Sequence, residues 1–365
     1  MVEVVVGLGE RRYPIRIGSN CAAQLGDGVR NVLPRCDRLL VVSNPEIAKL
    51  HASPVLDSLR GAGFLVELLE IPEGEVYKTV ATTERIWDHL ITRGYTRQSA
   101  AVALGGGVVG DVTGFAAAAY MRGIEFLQVP TTLLAMVDSS VGGKTGVNHP
   151  RAKNVIGAFW QPRLVFMDMA FLETLPPEEF RSGFAEVIKH GVIRDADYFA
   201  FLEQRLDAIL ALDHEALAHT VKVSCEIKSA VVAADEREGG LRAILNFGHT
   251  LGHALEALGG YGDLRHGEAV AVGMIGAARI AERMGLTSEE TGARLRKLVA
   301  RSGLPSRFPD LGVDSVLDRL KSDKKVRDGR VRFVLPTRIG DVVIRDDVPR
   351  ETIADTIREM GGGRS

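Results

Sequence analysis

Ala100-Ala-Val-Ala-Leu104-Gly105-Gly106-Gly107-Val-Val-Gly110-Asp111 is the stretch whose reading decides the fold. An unbroken run of apolar residues stopped by three glycines reads as a buried strand that turns at once into a helix. Outward from it lie similar runs: Arg38–Ser43, closed by Asn44-Pro45; Phe64–Ile71; Ile124–Val129, which stops at Pro130-Thr131-Thr132; and Leu164–Met167. A helical pattern over Thr79–Arg93 separates Phe64–Ile71 from Ala100. Strands alternating with helices predict a mainly parallel sheet, with ligands bound at strand C-terminal ends. Val2–Val6 and Tyr13–Ile17 alternate apolar and polar residues and predict an initial strand pair.

The character changes at Pro176-Pro177, the predicted domain boundary. Beyond it, apolar spacing predicts helices over Glu178–Ile193, Ala196–Leu212, Glu215–Ala234, His266–Met284 and Ser288–Ser302, with one later strand over Val331–Leu335. No internal repeat stands out, and the tail Gly361-Gly-Gly-Arg-Ser365 reads as frayed.

The chain of 365 residues can bury a sizeable core and suggests two domains. Its charged fraction of 25% and apolar fraction of 45% are those of an ordinary soluble protein. A net charge of −2 gives no general attraction to nucleic acid, so local cations serve something smaller. No stretch has the length or purity of a membrane helix, and Met1-Val-Glu-Val-Val-Val is not a signal peptide. Cys21, Cys36 and Cys225 are few and widely spaced, and read as reduced thiols of a cytoplasmic protein.

Gly105, Gly107 and Gly110 satisfy G-x-G-x-x-G, whose glycines let a pyrophosphate approach the backbone and the amides of a helix start. The match departs from the usual dinucleotide fingerprint, because its acid, Asp111, follows at once instead of some twenty residues on. Asp138-Ser-Ser-Val-Gly-Gly-Lys144-Thr-Gly-Val-Asn148 reads as a second glycine-rich loop; a P-loop would need glycine at Asp138, which disfavours a nucleoside triphosphatase. Lys144, Lys153, Asn154, Lys228, Arg242 and the Lys324-Lys325 pair are candidate anion binders, though each alone is more often a solvated charge.

A polar stripe, Arg242-Ala-Ile-Leu-Asn246-Phe-Gly248-His249-Thr-Leu-Gly-His253-Ala-Leu-Glu256, runs through apolar surroundings. Two histidines four apart share a helix face and can converge on one cation, with Gly248 placing the helix start near His249. H-x-x-x-H alone also describes a pair of hydrogen-bonded core histidines, and it lacks the Glu of a metalloprotease helix. His266-Gly-Glu268 opens a further helix, and Glu186-Val-Ile-Lys189-His190 lies on an otherwise apolar one. One Glu with two His is a common catalytic zinc shell. The provisional ligands are Glu186, His249 and His266, with His253 left for proton transfer or phosphate contact; spacing does not choose among the four histidines.

Together, Gly74-Glu75-Val-Tyr-Lys78, Gly105–Asp111, Pro130–Asn148, Lys153-Asn154, Phe184–Lys189, Arg242–His253, His266-Gly-Glu268 and Asp323-Lys324-Lys325 resemble, in order and over nearly the whole chain, the 3-dehydroquinate synthase family. The resemblance implies an α/β N-terminal NAD-binding domain (1–175) plus an all-α C-terminal metal-binding domain (176–365), with the active site in the cleft between them. It implies a cytoplasmic homodimer using NAD and one divalent metal, zinc or alternatively cobalt. Glu186, His249 and His266 match the metal ligands. Asn44, Glu75, Lys78, Gly105, Gly106, Gly107, Asp111, Thr131, Thr132, Asp138, Lys144, Lys153 and Thr174 match cofactor positions. Asp138, Lys144, Asn154, Lys189, Lys228, Arg242, Asn246, His253 and Lys324 match substrate positions, and Arg122 one that reaches the neighbouring subunit's substrate. The implied reaction turns 3-deoxy-D-arabino-heptulosonate 7-phosphate into 3-dehydroquinate and phosphate. Lys228, Arg242 and Asn246 together favour a carboxylate-bearing substrate over those of sister sugar-phosphate cyclases, although aminodehydroquinate synthase stays open. A metal- and NAD-dependent alcohol or glycerol dehydrogenase is the rival from another class.

Overall fold

The computed structural model describes residues 1–259, 264–309, 311–321, 326–327 and 330–361. The chain groups into two compact units: residues 1–176 with 217–237, and residues 177–216 with 238–365.

The first unit carries strands β1 (Val2–Val6), β2 (Tyr13–Gly18), β3 (Arg38–Ser43), β4 (Leu65–Glu70), β5 (Ala100–Gly105), β6 (Glu125–Pro130), β7 (Lys144–His149), β8 (Ala152–Phe159) and β9 (Leu164–Asp168). Helices α1 (Leu25–Val32), α2 (Pro45–Gly61), α3 (Val80–Thr92) and α4 (Gly107–Ala119) connect them. Seven strands form one sheet in the order β1-β2-β9-β6-β5-β3-β4, in which only β1 runs antiparallel to its neighbour. Leu39, Val41, Val102 and Leu104 join one apolar core with α1 and α2; Leu40, Val42, Ala101 and Ala103 join another with α3 and α4. Both sheet faces are therefore covered, which is why these strands read as continuous apolar runs rather than alternating ones.

From β3 the chain runs outward to β4 and then returns to the other side of β3 as β5. Strand order reverses between β3 and β5, so their C-terminal ends open the crevice where such sheets take ligands. Ser43 Oγ donates to Leu104 O at 2.8 Å and closes the two ends together. The stretch read as a second glycine-rich loop is in part a strand: β7 pairs antiparallel with β8, and Lys144 opens it. At Gly146 an added Cβ would lie 2.5 Å from Ile156 O, so the hairpin closes on glycine backbone.

Helix α5 (Pro177–Arg194) begins the second unit, followed by α6 (Ala196–Leu210). Helix α7 (His214–Ala234) comes next, yet residues 217–237 group with the first unit, where the sequence placed them in the second. Cys225 Sγ donates to Met136 O at 3.6 Å, Gln161 Nε2 to Glu236 Oε1 at 2.9 Å and Arg11 Nη2 to Glu236 Oε2 at 2.6 Å. Those long-range contacts override chain order.

The rest of the second unit is α8 (His249–Leu258), α9 (His266–Arg283), α10 (Glu289–Arg301), α11 (Val313–Lys321), the short pair β10 (Val326–Arg327) and β11 (Arg330–Val331), the hairpin β12 (Phe333–Arg338) and β13 (Asp341–Arg345), and α12 (Arg350–Met360). The unit is thus helical with small antiparallel additions. Helix α5 is buried at every position from Ser182 to Ile193 and forms its centre. Glycines bring α9 against its neighbours: an added Cβ at Gly273 would lie 2.0 Å from Gly248 O, and one at Gly267 1.9 Å from Ser182 O of α5. Gly248 itself holds φ +80°, a left-handed turn that starts α8 at His249.

Candidate functional site

The two units each carry a set of chemically capable residues. In the first, β5 ends at Gly105, Gly106 caps α4 in extended conformation, and Gly107 is the first helical residue. Added Cβ atoms at Gly106 and Gly107 would crowd Thr132 Cγ2 and Ser139 Oγ, each at 3.2 Å, so the glycines keep this turn open. One turn into α4, Asp111 Oδ2 meets Lys78 Nζ at 2.5 Å. The same ammonium donates to Asn154 Oδ1 at 2.7 Å. Asn148 Nδ2 donates to Glu75 Oε1 at 2.8 Å, and Asn148 Oδ1 accepts from Asn154 N at 2.9 Å. Glu75, Lys78, Asp111 and Asn154 therefore converge, with Asn148 as a member that sequence reasoning left unassigned. Burial pushes the Asp111 carboxyl up, and the Lys78 ammonium offsets only part of that.

Among the described residues, Thr131 Oγ1, fully covered beside Gly105, has no hydrogen-bond partner, and neither does Ser139 Oγ. Buried donors left in this way are rare and suit a ligand. Thr132 Oγ1 accepts from Ala135 N at 3.1 Å, and Asn44 Oδ1 caps α2 by accepting from Ile47 N at 2.8 Å. Thr174 is paired with His51 Nε2 at 2.8 Å. Lys228, carried by α7, donates to both Oδ1 and the carbonyl of Asp138 at 2.5 Å. Lys144 and Arg122 are exposed and Lys153 half-buried. Arg122 has φ +65°, between Met121 at +49° and Gly123 at +119°, a run of left-handed backbone that the chain must hold by its surroundings.

In the second unit, α5, α8 and α9 bring Glu186, His249 and His266 together, their ligand atoms all within 4.8 Å of one another. His249 Nε2 and His266 Nε2 both lie 3.5 Å from the same oxygen, Glu186 Oε1. Two atoms each about 2.1 Å from one tetrahedral ion stand roughly 3.4 Å apart, so the arrangement fits a divalent metal with a place left open. Glu186 is fully buried, and its charge is met by ion pairing with Lys189 and with His266. Burial works against the ionised Glu186, but Lys189, His249 and His266 outweigh it and hold the carboxyl well below its usual range. Burial, reinforced by Lys189, keeps His249 well below the usual imidazole value and hence neutral. For His266 burial is outweighed by Glu186 and Glu256, which push it up to about 10.

The other ring nitrogens are also engaged. His249 Nδ1 faces Phe247 O at 3.1 Å, and His266 Nδ1 faces Glu256 Oε1 at 3.3 Å. With Nδ1 of each ring directed to its acceptor, each Nε2 faces Glu186, and the His266 Nε2 lone pair becomes available once that ring loses its proton. His253 stands beside this cluster, its ring centroid 5.3 Å from that of His249 and 6.3 Å from that of His266. Arg242 is buried in the short turn Leu241–Asn246, and Asn246 Nδ2 donates to Glu238 Oε1 at 3.0 Å. Lys324 lies outside the described residues. Glu256 was missed, because nothing in sequence ties residue 256 to residue 266 before α8 and α9 are packed.

Two family models match the chain: 3-dehydroquinate synthase N-terminal over residues 68–182, and 3-dehydroquinate synthase C-terminal over residues 183–326. The chain is 52% identical over 360 residues to 3-dehydroquinate synthase of Synechococcus sp. (strain CC9605), covering 98% of this chain and 97% of that relative. Among solved structures, 2-deoxy-scyllo-inosose synthase complexed with carbaglucose-6-phosphate, NAD+ and Co2+ superposes with a TM-score of 0.89 at 28% identity, over 98% of this chain and 100% of the other. For 2-epi-5-epi-valiolone synthase from Streptomyces hygroscopicus subsp. jinggangensis 5008, with NAD+ and Zn2+ bound, the TM-score is 0.88 at 28% identity, over 95% and 96% of the two chains. The likeness to cyclases is one of fold along the whole length, while the far higher identity is to one group of them; the chain belongs to the 3-dehydroquinate synthase family.

Proposed function

We propose that the protein catalyses the 3-dehydroquinate synthase reaction, a phosphate-eliminating cyclisation of 3-deoxy-D-arabino-heptulosonate 7-phosphate. In it the substrate is transiently oxidised at C5, loses phosphate from C7, is reduced again, opens its ring and closes the carbocycle. The observation that carries the reading is the convergence of His249 Nε2 and His266 Nε2 on one oxygen of buried Glu186, in a chain of this family.

Bound to Glu186, His249 and His266, zinc or cobalt would supply Lewis acidity, and NAD at the Gly105–Gly107 turn would supply a hydride acceptor and donor. The chain's own residues do the remaining work. Gly105, Gly106 and Gly107 let a dinucleotide approach the start of α4, where Thr131 Oγ1 offers an unused hydroxyl. Lys78, held by Asp111 and Asn154, keeps the Glu75–Lys78 turn closed on the hairpin β7–β8. Arg242, Asn246, Lys228 and Lys189 match the substrate's anionic and hydroxyl groups, with Lys228 aligned by Asp138. His253 handles a proton or contacts phosphate, and Lys144, Asn154 and Lys324 contribute to holding the substrate. Such matching of a doubly charged substrate is worth most where water is excluded.

The protein works in this reading as a cytoplasmic homodimer, Arg122 reaching the partner's substrate. An open apolar groove of about 730 Å³ along Trp87, Ile91, Tyr95, Tyr120 and Met121, directly before Arg122, supports a second copy there. Three free, buried cysteines support a reducing compartment. Incubating the purified protein with the heptulosonate phosphate and identifying the product tests the reading. Formation of 3-dehydroquinate with one phosphate is expected, and unchanged substrate in the presence of NAD and zinc overturns it.

A further inference from the structure

His249 and His266 are oriented differently. His249 turns its Nδ1 to a backbone carbonyl, Phe247 O, which the left-handed residue Gly248 places beside the helix start. No side-chain change alters that acceptor. His266 is the more exposed ring, with 30% of its side chain open against 11% for His249. It is the first residue of α9, so its backbone is fixed by the helix cap, where Arg265 N donates to Glu268 Oε2 at 2.8 Å, and by Gly267 against Ser182. Its ring has one acceptor at Nδ1, Glu256 Oε1, at 3.3 Å. Glu256 stands two turns along α8 from His249, and its carboxylate also falls within 4.8 Å of His253.

We propose that Glu256 is a positioning residue of the metal centre: its carboxylate accepts from His266 Nδ1 and holds the ring with Nε2 facing Glu186. The inference rests on the metal-binding reading of Glu186, His249 and His266. Two effects follow from the geometry. The hydrogen bond selects the tautomer whose Nε2 can ligate, and it removes ring rotation that would otherwise be frozen at the moment of binding. Helix α8 therefore supplies one ligand directly and steadies a second across its contact with α9. His253 shares the same carboxylate's surroundings, so substitutions at Glu256 also reach the proton-handling side of the site.

The test is metal affinity of the chelator-treated full-length protein, read by competition with a chromophoric chelator for Zn2+ and by the visible spectrum of added Co2+. Glu256→Ala should weaken binding about 10–100-fold and alter the Co2+ bands. Glu256→Asp, which keeps the charge but withdraws the oxygen by one methylene, should weaken binding likewise, without an internal cavity to unsettle the fold. Glu256→Gln keeps an acceptor at the same reach and should stay within about threefold of the parent. Affinity within threefold for both Glu256→Ala and Glu256→Asp overturns the proposal, as does a Glu256→Gln protein as weak as Glu256→Ala. A parent protein that takes up no divalent ion, or a His249→Ala protein that binds as the parent does, fails the metal-centre reading instead.

Discussion

Gly267 is where sequence, packing and site meet most tightly. An added Cβ would lie 1.9 Å from Ser182 O, 2.5 Å from its carbonyl carbon and 2.6 Å from its Cα, all backbone atoms of α5. An ordinary carbon contact is about 3.5 Å, so the first turn of α9 must withdraw by roughly 1.5 Å. The hydrogen bond from Gly267 N to Ser182 Oγ, now 3.0 Å, is lost in the process. His266 is the residue before Gly267, and Glu186 lies one turn after Ser182, so the displacement opens between those two proposed ligands. Metal–ligand distances tolerate only about 0.2 Å. Gly267→Ala should therefore cost about 3 kcal/mol, the upper end for overpacking a close-packed site. For a unit of this size that lowers the melting temperature of the metal-free protein by about 6–12 °C. Calorimetry on chelator-treated protein reads the first effect, and elemental analysis after reloading with zinc reads the second, where occupancy should fall below half. A Gly267→Ala protein that melts within about 1 °C of the parent and holds a full complement of metal would refute the claim that this contact sets ligand geometry.

Other perturbations separate the remaining roles. His249→Ala should lose metal and turnover together, whereas His253→Ala should lose turnover and keep most of its metal; elemental analysis beside an activity assay distinguishes them. Arg242 is buried, and truncation to alanine would leave a substrate anion unmatched, costing about 2–5 kcal/mol in kcat/KM; near-normal kinetics would assign the carboxylate to other residues. Metal binding should depend on pH through His266, since His249 is already neutral and Glu186 already ionised. With His266 raised to about 10, its proton must leave before a cation binds, so apparent affinity should rise about tenfold per unit between roughly pH 7 and 9. The sign for metal-free stability is opposite: a group raised above its unfolded value stabilises fully below about pH 6.5 and loses that contribution as pH climbs through about 10. Titrations in a pH series that show a flat metal affinity would contradict the His266 assignment.

The sheet was legible because β3, β5 and β9 are short apolar runs ended by glycine, asparagine or aspartate, and burial on both faces writes such runs plainly. The hairpin β7–β8 was not, since Gly146 and Gly157 close it on backbone and β8 is half exposed, leaving no apolar period to read. Residues 217–237 show the limit for domains. Their helical pattern is the same whichever unit they join, and only contacts such as Lys228 with Asp138 decide the question. A cation site built from Glu186 and the histidines was legible, because a lone acid and paired histidines on apolar helices are expensive without a shared purpose, but which of the four histidines would ligate stayed open in the sequence. Glu256 was not legible, as an acid at the polar edge of a helix looks solvated until α9 is laid across it.

The most direct test of the account is the stoichiometry of NAD. The reading requires that hydride taken from the substrate be returned within the same turnover, and that phosphate be expelled. With NAD held far below substrate, the protein should complete many turnovers, releasing one phosphate for each substrate consumed, with no growth of NADH absorbance at steady state. NADH rising in step with substrate consumed, without phosphate release, would contradict the cyclase and leave a dehydrogenase in its place.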